Sequence, residues 1–108
     1  MATPHHPSAA VRKSLGKLGS DLRDARRRRR LTMAVVADRA FTSRVTLQRV
    51  EAGDPAVSMG IYAAVMHTLG LLDHLGQSAD PAKDSVGQAL ANEFLPQRVR
   101  LKQAKNRL

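Results

Sequence analysis

The chain has 108 residues, 43% of them hydrophobic, with two Phe, one Tyr, no Trp and no Cys. That length fits one domain, the aliphatic composition favours packed helices over an aromatic-rich sandwich, and the missing thiols exclude a disulfide framework, a thiol nucleophile and a thiolate metal site. The formal charge of +9 lies in blocks: residues 12–49 carry twelve Arg or Lys against three acids, residues 50–95 one Lys against six acids, and residues 96–108 five bases and no acid.

A basic unit of this kind is the footprint of a polyanion binder, with nucleic acid ahead of an anionic membrane, because each neutralised phosphate releases condensed counterions. No apolar run approaches the roughly 20 residues needed to span a bilayer, and the first ten residues lack a secretory pattern. A cytoplasmic protein with no membrane contact is expected.

Residues 1–11 show no apolar period and are expected to be disordered. From Ser14, Leu15, Leu18, Leu22 and Ala25 fall on one face of a first helix that runs into the cationic stretch Arg26 to Arg30. Thr32 is suited to cap a second helix, Met33 to Ala40, with Val36, Ala37 and Ala40 inward. Val35 stands where a capping box needs Glu or Gln. After a break at Phe41 and Thr42, Ser43 is suited to cap a third helix that turns Leu47 and Val50 inward and ends at Gly53. Ser58 then opens a fourth, with Ile61, Tyr62, Val65 and Leu69 on one face and Met59 and Met66 as core filling. Leu71 to Leu75 reads as a short helix or turn, Gly76 to Lys83 as a loop, and Asp84 or Ser85 as the start of a weak last helix through Glu93 that buries Val86, Leu90 and Phe94. From Pro96 the chain reads as a flexible basic tail.

The stretch Leu31 to Gly53, LTMAVVADRAFTSRVTLQRVEAG, carries the most information. With Leu47 and Val50 inward, Ser43, Arg44, Val45, Gln48 and Arg49 are left for the outer face of the third helix. Arg is the side chain best shaped to grip guanine O6 and N7 together, which makes Arg44 and Arg49 candidate base readers. The same stretch resembles the helix-turn-helix of the XRE/Cro family at Leu31, Thr32, Val36, Ala37, Ala40, Ser43, Leu47, Val50, Glu51 and Gly53. It departs from the family at Met33, where a phosphate-holding Gln is usual, and at Phe41, where the turn Gly is usual. The second departure requires either a turn of another shape or a non-glycine residue in an unusual backbone conformation.

The resemblance implies an all-α, lambda-repressor-like fold of five helices. Similarity to lambdoid phage repressors puts Val45, with Arg44 and Arg49, among the residues that read bases. It leaves Ser43, Thr46, Gln48, Thr32, Met33, Arg28, Arg29 and Arg30 as backbone or supporting contacts, and implies a salt bridge from Glu51 to Arg26. The expected partner is a double-stranded DNA operator. One such motif makes few base contacts, so a homodimer on a palindrome is expected, with Leu71, Leu72, Leu75, Val86 and Leu90 available to an interface. The expected organisation is therefore 1–11 disordered, 12–78 DNA-binding domain, and 79–108 a short helix and basic tail for dimer or partner contacts.

Residues 79–100, ADPAKDSVGQALANEFLPQRVR, resemble the C-terminal part of HipB-type antitoxins, small repressors paired with HipA-type kinase toxins. That resemblance implies a toxin partner. A stand-alone phage-type or metabolic repressor and a non-specific basic RNA binder are the rival readings. His67 and His74, seven apart, have no thiol or carboxylate to complete a ligand set, so no metal and no cofactor are expected. Asp73, Asp80, Asp84 and Glu93 are too scattered for paired catalysis. With no P-loop or dinucleotide fingerprint either, an enzyme is not expected.

Overall fold

The structure, a computed structural model, describes residues 6–93, and every regular element among them is helical. They are α1 (Ala9–Arg28), α2 (Met33–Arg39), α3 (Arg44–Glu51), α4 (Met59–Thr68) and α5 (Leu72–Gly76), followed by a 3-10 turn at Pro81–Lys83 and a helical segment at 85–93. A first compact unit extends to Asp73 and a second begins at His74. The division falls inside α5, five residues before the boundary expected at 78.

The first four helices begin in one way. Ser8, Thr32, Ser43 and Ser58 have extended backbones, and their hydroxyls accept from the N–H groups of Val11, Val35, Thr46 and Ile61. Each cap satisfies a donor that the helix itself leaves orphaned. This explains why α1 starts at Ala9, inside the stretch expected to be disordered: Ser8 caps it, and the alanines that follow need no buried face to favour a helix. Val11 is accordingly 46% exposed, which is why no apolar period announces this turn.

They also end in one way. Leu31 N–H donates to the Arg26 carbonyl and Arg30 N–H to that of Arg27; the same paired bonds recur at Thr42 and Phe41, at Asp54 and Gly53, and at Leu71 and Gly70. This is the Schellman arrangement, whose penultimate residue must be left-handed. Gly53 (φ 74°) and Gly70 (φ 75°) adopt that conformation freely, whereas Arg30 (φ 54°) and Phe41 (φ 56°) are L-residues held in it. The break after α2 therefore keeps the usual turn shape, and Phe41 carries the strain.

The core of the first unit is built from Leu22 and Ala25 of α1, Val36 and Ala37 of α2, Leu47 and Val50 of α3, and Tyr62, Val65, Met66 and Leu69 near α4. Leu15 and Leu18 are half-buried. Met59 is 72% exposed, against the expectation of a core role, because it is the first residue of α4 and lies past the end of the buried stripe. Backbones approach closely where α1 meets α3. A Cβ on Gly19 would lie 2.5 Å from the Val50 carbonyl oxygen, and one on Gly53 would lie 2.5 Å from that of Leu15. That contact fixes α3 against the helix bearing the arginine run.

In the second unit Asp84 caps the 85–93 segment, accepting from Gly87 N–H at 2.9 Å. The stretch expected as a loop closes on itself at Pro81–Lys83, where Asp80 accepts from Ala82 N–H. Phe94 and the basic tail lie outside the described residues.

Candidate nucleic-acid interface

The shortness of α3 decides what its residues do. With Leu47 and Val50 fully buried, Arg44, Val45, Gln48 and Arg49 are exposed along its outer side, Val45 to 68%. Ser43 and Thr46 are joined to each other: the Ser43 hydroxyl accepts from Thr46 N–H at 3.0 Å and donates to Thr46 Oγ1 at 2.9 Å. They organise the start of the helix, the end at which recognition helices meet base edges.

Met33, half-buried at the first position of α2, lines an open cleft with Arg44, Val45 and Gln48. Thr32 beside it is occupied as the α2 cap, accepting from Val35 N–H at 3.2 Å. A thioether cannot donate to a phosphate as an amide would, so α2 meets the outer face through an apolar side chain.

A second cleft, of about 370 Å³, lies between α1 and α3, and Arg23, Arg27, Met33 and Gln48 are among the residues around it. Arg23 and Arg27 are exposed and one helical turn apart. Two cations thus stand beside the outer face of α3. Sequence reasoning passed over Arg23, although its i, i+4 spacing from Arg27 was the available signal.

Beneath this cleft Arg26 is locked. Its Nε donates to Glu51 Oε2 at 2.7 Å, Nη2 to Oε1 at 3.1 Å and Nη1 to the Leu31 carbonyl at 3.1 Å. The two side chains are 10% and 7% exposed. Donating to the Glu51 carboxylate holds the Arg26 guanidinium above its already high pKa, against the cost of burial. The pair ties the end of α1 to the end of α3 and sets the angle at which α3 is presented.

The remaining arginines of the run differ from Arg26. Arg28 and Arg30 are exposed, and Arg29 Nη1 donates to the Ala25 carbonyl at 2.9 Å. Cations at this end also favour the α1 dipole.

Arg49 has a partner that sequence reasoning missed. Its Nε donates to Asp54 Oδ2 at 2.7 Å, while Asp54 Oδ1 accepts from Ala56 N–H at 2.8 Å. The hydrogen bond from Arg49 first, and then that from Ala56, holds the Asp54 carboxyl below the ordinary carboxylate range. The buried phenol of Tyr62 donates to the Asp54 carbonyl at 2.8 Å, and burial pushes that phenol's pKa up, keeping it protonated as a donor. The signal in the sequence was an acid directly after the helix-ending Gly53, where the Schellman turn folds back onto α3.

Of the residues expected at an interface between copies, Leu71 and Leu75 are half-buried, Leu72 is 37% exposed, and Val86 and Leu90 are 69% and 50% exposed. They are divided between the two compact units. Among the described residues no helix is long and apolar enough to cross a membrane, and no cluster of His, Cys, Asp or Glu could hold a metal ion.

The family model for a helix-turn-helix domain matches residues 17–77, more than half of the chain and the span that runs from the second half of α1 to the end of α5. The chain belongs to the helix-turn-helix domain family. It is thereby a DNA-binding regulator of the XRE-like kind. No curated protein and no solved structure matches it.

Proposed function

We propose that the chain is a sequence-specific repressor that binds a palindromic operator as a homodimer, with α3 in the major groove. The observation that carries this reading is the outer side of α3: Arg44, Val45, Gln48 and Arg49 are exposed together on a helix whose opposite side is fully buried. In this reading Arg44 and Arg49 grip guanines, Val45 meets a thymine methyl, and each good bidentate contact discriminates by about 1–3 kcal/mol. Ser43, Thr46, Gln48, Thr32 and the arginines at and just after the end of α1, Arg28, Arg29 and Arg30, flank the backbone, where phosphate contacts set register without reading sequence, and Met33 is a supporting apolar side chain. Arg26 and Glu51 brace the helix.

The finer role proposed is that of a HipB-like antitoxin. Its support is the resemblance of residues 79–100 to the C-terminal part of such proteins, and Val86 and Leu90 leave two apolar side chains available to a second copy or to a HipA-type kinase toxin.

Selection from a pool of randomised duplexes tests the operator reading. The wild-type chain is expected to enrich an inverted repeat with half-site centres about 34 Å apart, and R44A/R49A to lose the enrichment. Equal affinity for every duplex, with only a steep salt slope, would refute it and favour a charge-only binder. Co-purification with the product of an adjacent kinase-like gene separates an antitoxin from a stand-alone repressor.

A further inference from the structure

An acid beside the exposed arginines of α3 works against binding to phosphates, since like charges repel. Asp54 is nevertheless fixed there by every polar group it owns. Its N–H donates to the Arg49 carbonyl at 2.9 Å, its carbonyl accepts from the Tyr62 phenol, Oδ1 accepts from Ala56 N–H and Oδ2 from Arg49 Nε. Tyr62 is a core residue, 5% exposed, so the carboxylate stands on a rigid support. Arg49 remains 46% exposed beyond it.

We propose that Asp54 is a specificity-determining positioning residue, which holds Arg49 by Nε so that the guanidinium meets a base end-on through its two Nη groups. The proposal rests on the operator reading above. A guanidinium has five N–H donors in a fixed plane and grips a planar acceptor pair either side-on, through Nε and one Nη, or end-on, through both Nη groups. With Nε held by Asp54, only the end-on grip remains. That grip fits the paired acceptors O6 and N7 of guanine. The clamp also removes rotamer freedom from Arg49 before any DNA arrives, so less is lost on binding. Among the described residues Arg44 makes no ion pair. The two arginines of α3 are therefore prepared differently.

A residue that merely supported the fold would, when replaced, weaken binding to all duplexes together. A clamp with a like charge near phosphates acts in two directions at once. D54A is expected to lower the preference for guanine at the base pair read by Arg49 by about three- to tenfold, and to raise affinity for random duplex by about twofold.

The experiment selects wild type, R49A and D54A against the same pool of randomised duplexes, and then measures each variant's affinity for the enriched duplex and for an unselected one. Loss of one and the same base-pair preference in R49A and D54A, with D54A binding the unselected duplex more tightly, supports the clamp. Retention of that preference in D54A overturns the clamp while leaving the operator reading in place. If R49A keeps every preference, Arg49 reads no base and the clamp has no object. If the wild-type chain enriches nothing, the operator reading itself fails, and the clamp with it. D54N keeps one acceptor oxygen and puts an NH2 donor in place of the other, so it can serve Arg49 Nε or Ala56 N–H but not both, and is expected to retain an intermediate preference; equal loss in D54N and D54A would still support the clamp, assigning it to the charged carboxylate. Thermal melts of each variant show that it is folded when assayed.

Discussion

Phe41 offers a direct measure of what the turn after α2 costs. It is 96% exposed, so replacing it removes almost no buried surface, and its φ of 56° is one that an L-residue adopts at a penalty of about 1–2 kcal/mol. Phe41→Gly removes that penalty but gives the unfolded chain more freedom, at a cost of about 0.4–1 kcal/mol. The net expectation is a stabilisation of about 0.5–1 kcal/mol. For a small domain this is a rise in Tm of about 2–8 °C. Urea unfolding of the free protein measures it, with an unchanged m-value showing that the same surface is exposed.

Two controls share the backbone conformation but not the surroundings. Gly70→Ala introduces the same strain into open space and is expected to lose about 0.5–1 kcal/mol. Gly53→Ala adds to that strain a clash with the Leu15 carbonyl and Gly16 backbone, and is expected to cost at least 2 kcal/mol, roughly the strain plus an overpacking penalty. If F41G is neutral or destabilising at constant m, Phe41 makes a stabilising contact and the strain argument fails. If G53A costs no more than G70A, the close approach of α1 to α3 is refuted.

The remaining expectations concern charge. Glu51→Ala leaves the Arg26 guanidinium buried without its carboxylate and is expected to cost about 3–5 kcal/mol by urea titration; a loss under 1 kcal/mol would mean the pair is not a brace. Because the Asp54 carboxyl titrates lower in the folded chain than unfolded, its contribution is present above the ordinary Asp pKa of about 4 and is lost as pH falls through its own lower value. The stability difference between wild type and Asp54→Asn is therefore expected to be flat near neutrality and to shrink on acidification; a difference independent of pH would contradict the charged pairing with Arg49. Arg23→Ala/Arg27→Ala is expected to reduce the slope of log K against log salt by up to about 2 for any duplex while sparing base preference, and an unchanged slope would place both side chains off the backbone.

Much of the fold was legible because it is made of local signals. Thr32, Ser43 and Ser58 announce helix starts, Gly53 and Gly70 announce ends, and the apolar period separates Leu47 and Val50 from the outer face of α3. Where the signal is not local, reading stopped short. The start of α1 was missed because its first turn buries nothing, so only Ser8 marked it. Gly19 reads as a weak helix residue and reveals its purpose only when the backbone of α3 is set against it. Met59 matches the apolar period but lies past the end of the core that the period describes. The outer face of α3 was legible as a set of residues, whereas the hold on Arg49 was not, since it depends on the chain reversing at Gly53.

That reversal joins fold to site. The bond that ends α3 runs from Asp54 N–H to the Arg49 carbonyl, and the bond that orients the Arg49 side chain runs from its Nε to the Asp54 carboxylate. One pair of residues is thus linked twice, through backbone and through side chain, and the second link is possible only because the first has brought Asp54 back over the last turn of the helix. Gly53 makes the first link, since a Cβ there would meet both a left-handed φ and the backbone of α1. A change at Gly53 is therefore expected to act on two quantities that change independently elsewhere in the chain: the stability of the α1 to α3 contact and the direction in which Arg49 is presented. Strain relieved at Phe41 is expected to alter stability without altering how Arg49 is presented, because the one side-chain bond that holds Arg49 is to Asp54 in the other turn. Comparing base preference in G53A and in a core variant of equal stability cost separates these effects. A preference lost only in G53A is the outcome that the double link requires.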